Sequence, residues 1–170
     1  MSDVAAPPDR ISTACSPDAF RAAMRRMAGT VCVVTALDGG GERCGITATS
    51  VTSVSAEPPA LLVCVNRASA VHGALTRGRL FCVNVLSADQ EETARLFAAA
   101  ASQDERFAEA GWRAGQGGVP VLDGCQATFV CEVAERHAFA THTVFIGIVV
   151  EAAAATAGAP LIYHDGRYRS

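Results

Sequence analysis

The stretch GITATSVTSVSAEPPALLVCVN, residues 45–66, alternates small polar and apolar residues and then passes through two prolines into an apolar run. A period of two is typical of a β-strand with two different faces. The pattern predicts one polar face, on which Val51 is the exception, and an opposite face that carries the apolar residues Ile46, Ala48 and Val54. The first face carries four hydroxyl side chains, which either bind a polar ligand or face solvent on an edge strand: Thr47, Thr49, Ser53 and Ser55.

The neighbouring segments predict a mainly β fold with peripheral helices. Upstream, Ser16 and Pro17 are typical of a helix start and Gly29 of its end, before β-branched runs that suggest a hairpin. Downstream, further strands alternate with short helices, and an Asp-Gly pair at 165–166 predicts a tight hairpin. Six or seven strands joined largely by hairpins suggest a closed antiparallel barrel.

Length and composition indicate one soluble domain. The chain has 170 residues, 50% of them hydrophobic, and a net charge of −3. Scattered basic residues argue against a nucleic-acid surface, and no apolar run reaches membrane-spanning length. Residues 1–14 lack the pattern of a signal peptide and are predicted to be a flexible arm before a domain at 15–170. We expect a cytoplasmic protein.

The seven cysteines form no C-x-x-C pair, and four of them lie in apolar stretches. They are predicted to be small buried hydrophobic residues in a reducing compartment. The glycine clusters near residues 39–45 and 115–118 precede strands or irregular chain rather than a helix, so we predict turns and not phosphate loops. The four histidines match no metal motif, and no metal is expected. An organic cofactor would need no catalytic triad from the protein.

Four segments in order along the chain resemble the short-chain flavin reductase family. They are FRAAMRRMAGTVCVVTA (20–36), RCGITATSVTSVSAEPPALLVCVN (43–66), RLFCVNVLSADQEETARLFA (79–98) and THTVFIGIVV (141–150). Members of this family are the reductase components of two-component flavin-dependent monooxygenases. The chain is most similar to reductases that serve 4-hydroxyphenylacetate hydroxylases and pyrimidine-degrading monooxygenases. The resemblance implies an FMN-binding split β-barrel and a homodimer.

The resemblance also assigns site residues. Contacts to the ribityl and phosphate groups of the flavin are implied for Thr47, Ala48, Thr49 and Ser50, and contacts near its ring for Ser53, Val54 and Ser55. The phosphate end is assigned to a loop with Asn66, Arg67 and Ser69, and a strand near the ring is assigned to Val83 and Asn84. His142 matches the histidine that faces the nicotinamide, and Tyr168 is a second candidate there.

Each assignment has a structural alternative. Arg67 is otherwise an ordinary surface charge, Asn84 a strand-end residue that satisfies backbone groups, His142 a solvent-facing residue and Tyr168 a packing residue. Where the family often has a glycine two residues before its histidine, this chain has Ala140. If that position requires a positive φ, the turn beside His142 is strained here.

The resemblance implies a reductase that transfers hydride from NADH, or from NADPH, to FMN or FAD. Reduced flavin then leaves for a separate flavin-dependent monooxygenase. The alternative is a flavin-binding carrier or sensor without reductase activity. Neither function involves nucleic acid or a membrane.

Overall fold

A computed structural model describes residues 15–108 and 111–169; the predicted arm at 1–14 lies outside them. The α-helices are Pro17–Met24 (α1), Ala70–Arg77 (α2), Glu91–Ala98 (α3) and Gln103–Arg106 (α4). The β-strands are Gly29–Thr30 (β1), Cys32–Leu37 (β2), Arg43–Ala48 (β3), Val51–Ala56 (β4), Pro59–Asn66 (β5), Leu80–Val85 (β6), Trp112–Ala114 (β7), Pro120–Leu122 (β8), Ala127–Phe139 (β9), His142–Ala154 (β10), Ile162–His164 (β11) and Arg167–Arg169 (β12).

Seven strands form one antiparallel sheet in the order β3-β2-β6-β9-β10-β5-β4. Its two edge strands, β3 and β4, are separated along the chain only by Thr49 and Ser50. Because consecutive Cα atoms are about 3.8 Å apart, Ala48 and Val51 lie within about 11 Å of each other. The sheet therefore curls until its edges meet at this linker. The prediction of a mainly β fold with peripheral helices is confirmed, and the barrel is split along the seam between β3 and β4.

The structure corrects the expectation of one continuous strand through residues 44–54. The chain breaks at Thr49 and Ser50, and a register shift follows between Ser53 and Ser55. The four hydroxyl residues of the alternating stretch therefore do not share a face. The alternation was misleading because a small hydroxyl residue is compatible with both a strand and a turn.

Two apolar clusters hold the helices on the sheet. The first surrounds Phe81 of β6 and Phe145 of β10, both fully buried, and includes Val71 and Leu75 of α2. The second joins Phe97 of α3 to a set of buried residues from the loops and short strands: Val31, Leu86, Phe107, Leu122 and Leu161. Burial of each such side chain contributes about 1.5–3 kcal/mol, which fixes α2 and α3 on the sheet, where both helices contact β2 and β3.

The turn predictions are confirmed and one small hairpin was missed. Asp165 and Gly166 both have positive φ between β11 and β12, and Gly41 has a positive φ in the turn before β3. The glycines at 115–118, predicted to lie in a turn before irregular chain, connect the two strands of the short hairpin β7–β8. Three-residue strands carry too little periodicity to be recognised from sequence.

Most of the cysteines are buried, as predicted. Burial raises the pKa of Cys32, Cys82, Cys125 and Cys131 to about 12, and burial is also the main cause that raises the pKa of Cys44 to about 11. Cys64 is half-buried and Cys15 is exposed. The five buried thiols are thus poor nucleophiles at neutral pH.

We expect a disulfide reagent to modify Cys15 quickly, Cys64 slowly, and the five buried thiols only after unfolding. The measurement is a thiol titration of the native protein, followed by addition of denaturant. A Cys15→Ser variant is the control and should lose only the fast phase. Fast modification of a third thiol would contradict the packing described here.

Candidate functional site

The first part of the candidate site lies where β5 ends and β10 begins. Asn66 is paired with His142 in the register of these two strands, and the Arg67 amide donates a hydrogen bond to the Thr141 carbonyl at 2.9 Å. Strand pairing therefore brings together residues that are 76 positions apart. The predicted phosphate loop and the predicted nicotinamide residue are neighbours.

The loop after β5 is shaped by its own side chains. The Asn66 Oδ1 accepts from the Ala68 amide at 2.9 Å, and the Ser69 hydroxyl donates to the Asn66 carbonyl at 2.8 Å. Ser69 also caps α2 by accepting from the His72 amide at 3.2 Å. The side chain of Arg67 is exposed and has no hydrogen-bond or ion-pair partner among the described residues.

This loop suits an anion. A free guanidinium lies next to the N-terminus of α2, where the helix dipole and unpaired amides favour negative charge. The segments 66–72 and 140–143 contain no carboxylate. Arg67 can bind two phosphate oxygens with its forked donors. The donor set therefore fits the phosphate end of a flavin nucleotide.

His142 is exposed at the end of the β9–β10 hairpin. Its Nδ1 lies 2.9 Å from the Thr141 hydroxyl, which fixes the ring orientation. The two-residue turn before it places Ala140 at a φ of +46°. An L-residue in that region costs about 1–2 kcal/mol, so the turn keeps the geometry that a glycine would favour at the expense of some stability.

His72 belongs to this cluster and was not predicted. Its Nε2 lies 2.9 Å from the hydroxyl of Thr143, and its ring meets Phe145 edge-on at 5.6 Å between centroids. Burial, and secondarily the charge of Arg67, lowers the pKa of His72. The ring links α2 to β10 one residue from His142. A single histidine in a helix has no sequence signal that would distinguish this role.

Because folding lowers the pKa of His72, the unfolded chain takes up this proton at higher pH than the native protein. The stability that this group contributes is complete above its ordinary pKa of 6.5 and is lost as the pH falls from 6.5 through the folded value. We expect the Tm of the wild type to fall between about pH 7 and about pH 5.5, and the Tm of His72→Gln to fall less. Parallel Tm profiles for the two proteins would contradict this.

The linker between the sheet edges forms the second part of the site. The Ser50 hydroxyl donates to the Cys64 carbonyl at 2.9 Å, which places Ser50 close to the phosphate loop. A Cβ built on Gly29 would lie 3.0 Å from the Cβ of Thr49, so Thr49 packs closely on β1. The Thr47 hydroxyl donates to the Ala94 carbonyl of α3 at 2.7 Å, and Ala48 packs against the core. Ser50 and Thr49 are thus better placed for a ligand than Thr47 and Ala48.

The ring-side residues lie on the exposed edge strand β4. Ser53, Val54 and Ser55 are all solvent-exposed, and Val54 keeps 48% of its surface accessible. The Ser55 hydroxyl accepts from the Glu57 amide at 3.0 Å. In the single chain these residues border open solvent. If they bind a flavin ring, a second protein surface is needed to shield the opposite face of the ring from solvent.

The structure does not bring Val83 and Asn84 to the surface of the site. Both are fully buried on β6, which pairs with β2 and β9 on its two sides. The Asn84 amide group donates to the Val33 carbonyl at 3.0 Å and to the Thr35 hydroxyl at 3.2 Å, and it accepts from the Leu122 amide at 2.8 Å. The side chain of Asn84 is thus engaged within the fold, which matches the structural alternative for this residue; the assigned contact of the β6 backbone with the flavin ring stays a prediction.

Tyr168 lies apart from the His142 cluster. It is half-buried on β12, where its ring meets Tyr163 edge-on at 5.2 Å and the Arg95 guanidinium lies 5.0 Å from its centroid. Tyr163 pairs with Gly29, which touches Thr49. Tyr168 is therefore connected to the linker side of the site, and its contact with the nicotinamide stays a prediction.

No group of three or more His, Cys, Asp or Glu side chains within residues 15–108 and 111–169 is arranged to hold a metal ion. Over the same residues, the structure contains no helix long and apolar enough to span a bilayer.

Comparison with known proteins finds chains that are similar to this one in sequence and in fold. The model of a family described as "Flavin reductase like domain" matches residues 24–170. A protein of Methylorubrum extorquens named FMN reductase (NADH) RutF 1 is 43% identical over 152 residues, which cover 89% of this chain and 75% of that protein.

Two solved structures share the fold. BorF, described as the flavin reductase component of a bacterial two-component tryptophan halogenase, superposes with a TM-score of 0.84 at 35% identity, covering 91% of this chain and 97% of BorF. SgcE6 of Streptomyces globisporus C-1027, an NADH:FAD oxidoreductase in complex with NAD and FAD fragments, has a TM-score of 0.83 at 32% identity. It covers 99% of this chain, which in turn covers 96% of SgcE6.

Proposed function

This chain belongs to the flavin reductase-like family, and on that basis we propose that it is an NADH-dependent flavin reductase. The reaction transfers hydride from C4 of the nicotinamide to N5 of FMN or FAD, and a proton from solvent completes the reduced flavin. The observation that carries the proposal is the pairing of Asn66 with His142, which places Arg67, whose side chain has no partner within residues 15–108 and 111–169, beside an exposed, oriented imidazole.

The residues of the chain contribute binding and orientation. Arg67 and the N-terminus of α2 hold the phosphate of the flavin, and Ser50 and Thr49 lie along its ribityl chain. His142, on the strand paired with this loop, orients the nicotinamide. The catalytic contribution of the protein is to hold the nicotinamide and the flavin ring in contact, at roughly 3–3.5 Å. Hydride passes directly between the two rings, so the step requires no side-chain acid or base.

We further propose a homodimer. The chain exposes large apolar side chains that a soluble protein usually covers, among them Phe20, Met27 and Phe139 with 58%, 64% and 62% of their surfaces accessible. The edge strand β4 also leaves Ser53, Val54 and Ser55 uncovered. A second copy seated there would give the flavin ring the cover that one chain lacks.

The reduced flavin is proposed to pass to a separate flavin-dependent monooxygenase. Support for a separate partner comes from BorF, the reductase component of a two-component tryptophan halogenase, and support for a monooxygenase comes from the styrene monooxygenase flavin reductase of Pseudomonas putida S12. A cytoplasmic location fits the five buried free thiols, which need no oxidising compartment. FMN is the flavin in the name of the Methylorubrum relative and FAD in that of SgcE6, so both are tested below.

The role of His142 is tested by steady-state kinetics. We expect His142→Ala to raise the KM for NADH about fivefold to tenfold, the loss of about one hydrogen bond, while the Kd for FMN stays within twofold. His137→Ala is the matched control, since His137 is exposed on the neighbouring strand and contacts Glu135. An unchanged KM for NADH, or an equal rise in the control, would contradict the assignment.

A further inference from the structure

A second pocket lies between α3 and the β11–β12 hairpin, outside the His142 cluster. It is open, has a volume of about 560 Å³, and is lined by Arg95, Ala98, Ala99, Tyr163, Gly166, Arg167 and Tyr168. A volume of this size lies within the roughly 300–1,000 Å³ typical of small-molecule sites. Neither the reaction nor the core packing described above uses its charged residues.

The pocket is cationic in a chain whose net charge is −3. Arg167 is exposed and makes no ion pair among the described residues, while Arg95 is held by Glu91 and stacks on Tyr168. A third guanidinium stands at the rim, since a Cβ on Gly166 would lie 3.9 Å from the Cζ of Arg25. Three guanidinium groups against the two carboxylates of Glu91 and Asp165, the latter in the adjoining pocket with Arg25, leave a net positive charge that favours an anion with several oxygens.

The pocket also offers an aromatic surface. Tyr163 keeps 38% of its surface exposed, and its edge-on contact with Tyr168 holds its ring in place. A fixed aromatic ring beside arginines is the combination on which nucleobases stack while their phosphates are bound. A simple inorganic anion would leave these rings unused.

The pocket continues toward the proposed reaction centre. Tyr163 also lines an adjoining pocket of about 350 Å³ together with Thr49. Ser50 follows Thr49 in the chain, and its hydroxyl donates a hydrogen bond to the Cys64 carbonyl. Cys64 is two residues from Asn66, a distance of about 7 Å along a strand. One extended ligand can therefore follow the linker from the phosphate loop to the tyrosines.

From this arrangement we propose that the Arg95–Tyr163–Arg167–Tyr168 pocket binds the adenosine-phosphate end of a dinucleotide. The inference rests on the proposed function for the reacting end of that dinucleotide. The adenosine phosphate belongs either to NADH or to FAD, which share this chemistry. Tyr168 then takes part in dinucleotide binding through the adenosine end and not through the nicotinamide.

The test begins with calorimetric titration of the full-length chain with 5′-AMP. We expect binding by the wild type, about tenfold weaker binding by Arg167→Ala because a guanidinium–phosphate contact is lost, and unchanged binding by Arg169→Ala. Arg169 is the matched control because it lies two residues away on the same strand and outside the pocket. No detectable AMP binding, or equal affinity in the wild type and Arg167→Ala, would overturn the inference.

Kinetics of the same variants distinguish the two sources. If the pocket serves NADH, Arg167→Ala raises the KM for NADH with FMN as the acceptor; if it serves FAD, the variant weakens FAD binding and leaves the FMN affinity unchanged. AMP binding that depends on Arg167 while both quantities stay at wild-type values would overturn the dinucleotide assignment. Because calorimetry requires no turnover, a failure of the reductase proposal is read separately from a failure of this one.

Discussion

Replacing Asn84 by alanine is expected to lower the free energy of unfolding by about 3 kcal/mol, since the change leaves buried groups without partners and opens a cavity. The Leu122 amide loses its acceptor, and the Thr35 hydroxyl and Val33 carbonyl lose a donor. For a chain of this size the Tm should fall by about 10 °C. The flavin affinity of the protein that remains folded should not change.

Asn66 provides the matched comparison, because it also follows a Cys-Val pair but lies exposed at the end of β5. Asn66→Ala should move the Tm by less than about 2 °C, as expected of a surface change of about 0.5 kcal/mol, and should weaken FMN binding. Thermal unfolding and fluorescence titration with FMN measure both effects. Loss of flavin binding by folded Asn84→Ala at wild-type stability would restore Asn84 to the flavin site and contradict the core role.

Replacing Arg67 by alanine is expected to have the largest effect on flavin binding. A guanidinium that makes charge-assisted hydrogen bonds to a phosphate contributes about 1.5–3 kcal/mol, so the Kd for FMN should rise by about 10- to 100-fold. Riboflavin has no phosphate, and its Kd should remain within twofold. The pair of ligands therefore separates a phosphate contact from a general disturbance of the site.

Arg79→Ala is the control for Arg67→Ala. Arg79 is also an exposed arginine, but it follows α2 in the chain, whereas Arg67 precedes it, and it forms an ion pair with Glu132. Its affinity for FMN should equal that of the wild type. Equal weakening of FMN and riboflavin binding by Arg67→Ala would show that Arg67 shapes the loop instead of binding the phosphate. Fluorescence quenching titrations of the wild type and both variants, at fixed salt, give the dissociation constants.

Local signals in the sequence were sufficient for much of the fold. The helix-start pair Ser16–Pro17 indicated α1, and Asp165–Gly166 indicated the turn of the last hairpin. These features depend on residues within a few positions of one another. The last hairpin also positions the pocket beside Tyr168.

Tertiary features were beyond the sequence pattern. The break at Thr49 and Ser50 follows from closure of the sheet between β3 and β4, and nothing in the alternation marks it. Asn66 and Asn84 have nearly identical local sequences, yet Asn66 is exposed at the end of β5 and Asn84 is buried within β6, between β2 and β9. The roles of His72 and Arg95 depend on contacts with residues far along the chain, since His72 contacts Thr143 and Arg95 contacts the ring of Tyr168.

The central claim is that the chain reduces flavin with NADH, and the direct measurement is the decrease of NADH absorbance with purified protein in air. The reaction is followed with FMN, with FAD, with riboflavin and without flavin, and is repeated with NADPH. We predict rapid NADH oxidation that requires added flavin. Flavin binding detected by fluorescence without any NADH or NADPH oxidation would contradict the reductase and leave a flavin carrier or sensor.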